Sequence, residues 1–279
     1  MTSCLPPLRD VVEKYGLAAK KSLGQNFIFD TNLIDKIVRA AKARSPEAFE
    51  NGTVIEVGPG PGGLTRSILE NGAKKLVAIE KDERCLDILR DIQNAFPHRL
   101  EVLNTDAMTV NAAELGNAPR CIVSNLPYNV GTPLLIAWLR RIGDFSGLTL
   151  MFQKEVAERI TAKPKTQAYG RLAVLAQWLC ETEILFPVNR MAFTPPPKVT
   201  SAVVHLSPRQ KPLVPVRFDL LERVTAAAFN QRRKMLRSSL KSVGNPEELC
   251  KAAGVPVTAR AEEVSPEAFC FMAQTLENS

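Results

Sequence analysis

The stretch V-I-E-V-G-P-G-P-G-G-L-T, Val54 to Thr65, runs an apolar segment straight into a cluster of glycines and prolines. Thr53 to Val57 reads as a buried strand and Leu64 to Asn71 as a helix, so the glycines fill a strand-to-helix turn. Gly58, Gly60 and Gly63 satisfy the spacing G-x-G-x-x-G. Glycines let a backbone turn sharply and approach a ligand closely, and the helix N-terminus beyond adds the positive end of a dipole. About twenty residues further on, Glu80 ends the next expected strand, placed to accept both ribose hydroxyls of a bound nucleoside. These residues point to an adenosine-type cofactor, with NAD and S-adenosylmethionine both open.

Outward from this turn the chain alternates. A helix is expected near Thr31 to Ala43, where Leu33, Ile34, Ile37, Val38 and Ala41 share one face. Strands follow at Lys75 to Glu80, Leu100 to Asn104, Arg120 to Ser124 and Gly147 to Gln153, with a helix from Glu83 to Phe96. Strands separated by helices of this length imply parallel β-α-β units, hence a doubly wound, Rossmann-like α/β fold. Glu183 to Val188 and Ser201 to Ser207 lie a loop apart, an antiparallel pair closing one edge of the sheet. Prolines and charges from Ser207 to Val216 mark a linker, dividing the chain into residues 1–207 and a small all-helical domain, residues 208–279. Within the second domain Phe218 to Ser242, Pro246 to Ala253 and Pro266 to Leu276 read as helices.

Of 279 residues, 45% are hydrophobic and 23% charged, the balance of a soluble globular chain. No apolar run approaches the ~18 residues of a membrane helix, and the N-terminus lacks a basic stretch followed by an apolar one, so a cytoplasmic protein is expected. The six cysteines contain no C-x-x-C pair and there are only two histidines, which offers no zinc site and favours reduced, buried thiols. A net charge of +7 favours a polyanionic partner.

Two further loops complete a site. Asp106, just past the third strand, could receive the amino group of an adenine or simply cap a helix. N-L-P-Y, Asn125 to Tyr128, resembles the fourth motif of the adenine and cytosine amino-methyltransferases. An exocyclic amine is a poor nucleophile because its lone pair is delocalised into the ring. If the Asn125 side-chain oxygen and the Leu126 carbonyl accept its two N–H bonds, the nitrogen is drawn toward a pyramidal geometry that frees the lone pair. Pro127 fixes the preceding carbonyl, and Tyr128 stacks on the extruded base.

With these stretches the chain resembles the small-subunit ribosomal RNA adenine dimethyltransferase family. The match includes K-S-L-G-Q-N-F at Lys21 to Phe27, the glycine turn, D-A-M at Asp106 to Met108 and N-L-P-Y-N at Asn125 to Asn129. It continues through F-Q-K-E-V at Phe152 to Val156, Y-G-R-L at Tyr169 to Leu172, F-T-P-P-P-K-V at Phe193 to Val199 and F-N-Q-R-R-K at Phe229 to Lys234. Val130 and Gly131 replace the common Ile-Ser.

The resemblance implies S-adenosylmethionine as cofactor, held by Asn26, Ile28, Gly58, Gly60, Glu80, Asp106 and Asn125. It implies as substrate two adjacent adenosines in a hairpin near the 3′ end of small-subunit rRNA, within a ribosomal particle met by a monomeric enzyme. Phe193 and the prolines after Thr194 look like a platform for a flipped base, with Lys198 beside it. Arg232, Arg233, Lys234, Arg237 and Lys241 are expected on one helix, either gripping phosphates or merely solvated. Three rivals stand against this: a methyltransferase of large-subunit rRNA, a nicotinamide dehydrogenase that leaves N-L-P-Y unexplained, and an RNA-binding assembly factor with little catalysis.

Overall fold

The computed structural model describes residues 5–19 and 25–277. A first helix, α1 (Leu8–Lys14), precedes the two-residue strand β1 (Phe27–Ile28). Asp30 caps α2 (Thr31–Arg44) by accepting the Leu33 amide at 3.1 Å, and α3 (Pro46–Glu50) starts on a proline. Then come β2 (Thr53–Val57), α4 (Gly63–Glu70), β3 (Leu76–Glu80), α5 (Leu86–Ala95), β4 (Leu100–Asn104), β5 (Arg120–Asn125), α6 (Gly131–Leu139), β6 (Phe145–Gln153) and α7 (Lys154–Thr161). After α8 (Arg171–Leu179), three strands close the sheet region: β7 (Cys180–Val188), β8 (Phe193–Thr194) and β9 (Ser201–Pro208). The chain ends in α9 (Phe218–Asn230), α10 (Leu236–Ser239), α11 (Pro246–Ala252) and α12 (Pro266–Glu277).

Seven strands form one sheet in the order β4-β3-β2-β5-β6-β9-β7. The pairs from β4 through β6 are parallel and β9 runs antiparallel to β6. Every residue of β2 and β3 is buried, as continuous apolar strands covered on both faces must be. The edge strand β7 instead carries Glu181, Glu183 and Pro187, which discourage pairing with another chain. Sequence order reverses at β2, with β3 on one side and β5 on the other. Ligands of doubly wound sheets bind outside the carboxyl ends of the strands at such a switch point. The glycine turn after β2 and N-L-P-Y after β5 therefore open onto the same crevice.

The chain divides into two compact units, Met1–Ala157 with Ile184–Ser207, and Glu158–Glu183 with Pro208–Ser279. The division expected at residue 207 thus misses one excursion, because Glu158–Glu183 packs with the C-terminal helices. Its hydrogen bonds show why: the Tyr169 hydroxyl donates to the Val264 carbonyl at 2.8 Å and the Trp178 indole to the Val214 carbonyl at 2.8 Å. The single helix expected from Phe218 to Ser242 is also broken, α9 ending at Asn230 and a turn carrying residues 231–234. All five described cysteines are free and buried; Cys4 lies outside the described residues.

Candidate active site

A cavity of about 230 Å³ lies at the switch point, lined by residues of β1, the glycine turn, the ends of β3 and β5, and the loops that follow them. Asn26, Ile28, Gly58, Gly60, Glu80, Asp106 and Asn125 to Tyr128 all face it, so one crevice gathers the expected cofactor and amine groups. Gly58 and Gly60 adopt φ of +68° and +54°, which side chains rarely tolerate. A Cβ on Gly60 would also stand 3.2 Å from the Phe27 ring, so β1 packs directly on the turn.

Glu80 is buried and braces the turn. Its Oε2 accepts the Gly60 amide at 2.9 Å and its Oε1 the Asp82 amide at 2.7 Å. Burial raises its pKa, and these two amides oppose the rise. Each carboxylate oxygen has a further lone pair, so both can still accept a hydroxyl. Asp106 serves as the cap foreseen for it, with Oδ1 accepting the Met108 amide at 2.9 Å, while Oδ2 meets Lys81 Nζ at 2.7 Å. Lys81 and the Met108 amide together hold its pKa below the usual range.

Asn125 ends β5 with its Nδ2 donating to the Asn26 carbonyl at 3.3 Å, which leaves Oδ1 as the acceptor. The Pro127 carbonyl accepts the Val130 and Gly131 amides at 3.2 and 3.1 Å, closing the turn into α6. A Cβ on Gly131 would lie 2.8 Å from Phe152 Cε1, so a side chain there would require the ring to shift. Tyr128 is half-buried and its hydroxyl lies 2.7 Å from Ser201 Oγ, which ties the loop to β9. Burial raises the Tyr128 pKa, and the Ser201 bond lowers it.

Four supporting residues escape the sequence reading. Ser124 Oγ donates to the Val57 carbonyl at 2.6 Å, welding the ends of β5 and β2. Glu56, fully buried in β2 and lining the crevice, accepts the Thr65 hydroxyl at 2.7 Å. Burial first, with the Glu80 charge adding to it against the Thr65 bond, pushes its pKa up to about 8. A lone acid inside the apolar run T-V-I-E-V was the available signal. Ser201 left no comparable mark, since its partner Tyr128 is distant in sequence, whereas Asp82 had a signal in Arg84 two residues on, whose guanidinium binds it.

The residues expected to meet RNA fare differently. Phe193 is 1% exposed, paired in β8 with Ile28 and packed in the core, so its ring is not an open stacking platform. Lys198 is exposed. Arg232, Arg233 and Lys234 lie in the turn after α9 rather than on a helix. Arg232 is occupied there, with Nε 3.0 Å from Glu262 Oε2 and Nη2 2.6 Å from the Gln167 carbonyl. Arg233 and Lys234 remain exposed. Lys20 and Lys21, the other basic residues near the expected cleft, lie outside the described residues.

A switch-point crevice that combines a glycine turn, a ribose-type acid and a hydrogen-bonding N-L-P-Y loop defines an S-adenosylmethionine-dependent methyltransferase with a helical C-terminal part. The cofactor fits the residues present: the turn admits close approach, Glu80 retains acceptor capacity, and the crevice is mixed apolar and polar. The nicotinamide alternative leaves the N-L-P-Y loop in this crevice unexplained.

A family profile described as ribosomal RNA adenine dimethylase matches residues 16–278, and the chain belongs to that family. It is 58% identical over 273 residues to the ribosomal RNA small subunit methyltransferase A of Paramagnetospirillum magneticum, covering 98% of this chain and 95% of that one. The protein of the same name from Rhodospirillum rubrum is 55% identical over 273 residues, covering 98% and 93%. Among solved structures, a dimethyladenosine transferase from Plasmodium falciparum superposes with a TM-score of 0.74 at 25% identity, over 90% of this chain and 98% of that one. The 23S rRNA methyltransferase ErmE superposes at 0.67 and 27% identity, over 90% and 100%. This chain is accordingly an rRNA adenine methyltransferase.

Proposed function

We propose that this enzyme dimethylates the exocyclic amines of two adjacent adenosines in a hairpin near the 3′ end of small-subunit rRNA. It acts in the cytoplasm, as a monomer on a ribosomal small-subunit particle, during assembly of that subunit. The observation that carries the chemistry is the Asn125 carboxamide, pinned through Nδ2 to the Asn26 carbonyl in the crevice that also holds Glu80 and the glycine turn. The choice of subunit rests on the names and identities of the curated relatives. No helix among the described residues is long and apolar enough to cross a membrane.

The residues divide the work. Glu80 and the backbone of Gly58 and Gly60 hold the nucleoside end of the cofactor, and Asp106 receives its adenine. When bound, S-adenosylmethionine supplies a methyl group on a sulfonium whose thioether leaves without acid assistance. Asn125 Oδ1 and the Leu126 carbonyl accept the two amine hydrogens, Pro127 keeps that carbonyl in place, and Tyr128 stacks on the base. Positioning supplies most of the acceleration. The methylated amine is acidic enough to release its proton to water, so no strong base is required of the crevice.

Mass spectrometry of rRNA from a strain lacking this activity, after incubation of its subunits with enzyme and S-adenosylmethionine, tests the reading. Dimethyladenosine at two adjacent small-subunit positions is expected. Modification of the large-subunit RNA instead would transfer the chain to the activity named for the ErmE structure.

A further inference from the structure

Arg84 lies four residues beyond Glu80 and is not among the residues lining the crevice. It sits in a single 3₁₀ turn, Glu83–Cys85, capped by Asp82. Its guanidinium folds back on that cap as a fork, Nε to Oδ1 at 2.9 Å and Nη2 to Oδ2 at 2.6 Å. Asp82 is 6% exposed, and the Arg84 bonds are the main reason its pKa falls to about 2. The same cation reaches the segment before β1: Nη1 donates to the Ala18 carbonyl at 3.1 Å and Nη2 to Gln25 Oε1 at 3.5 Å. Gln25 returns the contact, its Nε2 donating to Asp82 Oδ2 at 2.9 Å.

Two short routes lead from this cluster to the chemistry. The Asp82 amide binds Glu80 Oε1, and Gln25 adjoins Asn26, whose carbonyl orients Asn125. An exposed ion pair contributes little by itself, but this one is bidentate, shares a nearly buried acid and spans two chain segments. We propose that Arg84 is a positioning residue for cofactor capture: by bridging Asp82, Gln25 and the Ala18 carbonyl it holds the backbone entering Asn26 in register with Glu80 before the cofactor arrives. The proposal rests on the methyltransferase reading above and adds a residue outside the crevice lining.

Arg84→Ala then leaves the two segments independent, and the bound cofactor must re-order them. Calorimetric titration with S-adenosylmethionine should show Kd raised about tenfold, and steady-state assays KM for the cofactor raised equally. At saturating cofactor, kcat and KM for rRNA should stay within about twofold of the parent, because bound cofactor restores the arrangement. Arg84→Lys can face Asp82 but cannot span the other acceptors, so it should fall between. Gln25→Leu should mimic Arg84→Ala, and the double variant should be no worse than either, since both remove one bridge.

A folded Arg84→Ala protein with cofactor Kd within about twofold of the parent overturns the proposal and leaves Arg84 a stabilising ion pair. Full additivity of the two substitutions overturns it as well. Should Arg84→Ala fail to fold, Arg84→Lys and Gln25→Leu carry the same comparison. A parent that binds no S-adenosylmethionine would sink the methyltransferase reading itself, before any variant is made.

Discussion

Asn125 has one amide group and two tasks. Its nitrogen is committed to the Asn26 carbonyl at 3.3 Å, so the oxygen alone is left to accept an amine hydrogen. In the proposed mechanism that acceptor matters most as the amine changes geometry, which makes its removal a rate effect. Asn125→Ala should lower kcat on the order of a hundredfold, comparable to deleting one preorganised transition-state hydrogen bond, while RNA affinity in a filter-binding titration changes far less. Glu80 acts earlier. Glu80→Ala removes the acceptor proposed for the ribose and also leaves the Gly60 and Asp82 amides without their partner. Cofactor binding should weaken by more than about tenfold by calorimetry, a charge-assisted bond contributing about 1.5 to 3 kcal/mol. Unchanged affinity would remove Glu80 from the pocket. That both residues line one crevice was legible in sequence, because each ends a strand of a parallel sheet. What was not legible was their bracing, because Asn26 and Gly60 act through backbone atoms that any residue would supply.

Short strands were the most readable elements. Thr53–Val57 and Leu100–Asn104 match the expected strands residue for residue, the first as a fully buried run and the second as an edge strand in which only Leu100 is buried. The failures came where distant chain decides. A-A-A-F-N-Q-R-R-K-M-L-R-S-S-L contains no Gly or Pro to mark a break, yet α9 stops at Asn230. The Leu236 amide instead donates to the Ala259 carbonyl at 2.8 Å and the Arg237 amide to the Val257 carbonyl at 2.9 Å. Phe193 was misplaced for a similar reason, because the partner of its two-residue strand lies at Phe27–Ile28. The broken helix changes what its basic run should do. Arg233→Gln with Lys234→Gln should flatten the salt dependence of RNA binding by up to about two units of slope, one per lost phosphate contact. Arg232→Gln should instead lower the melting temperature, because its guanidinium joins Glu262 to the Gln167 carbonyl. A double variant whose RNA affinity falls as steeply with salt as the parent's would make the turn a solvated surface.

For the whole molecule, the buried Glu56 couples stability to pH. Its carboxyl titrates at about 8 in the fold, against 4.5 for the ordinary group. Between those values the folded chain holds a proton that the unfolded chain has released, so this group's contribution is present below the lower value and lost as pH rises through the upper one. The slope from one proton is about 1.4 kcal/mol per pH unit. Thermal unfolding followed from pH 5 to pH 8 should show stability falling more steeply in the parent than in Glu56→Gln, which keeps the shape and removes the titration. Parallel curves would assign the slope to other groups.

The excursion of Glu158–Glu183 into the C-terminal unit bears on how the protein comes apart. A single cut after Ser207 separates the chain but not the interwoven unit, because Tyr169 and Trp178 remain on the first piece while Val264 and Val214 go with the second. Nicked protein should therefore run as one species in gel filtration, and the two pieces, expressed together, should reassemble as a split enzyme. Either piece made alone would expose half of a hydrophobic core, so deleting the tail at residue 207 would test misfolding rather than RNA contact.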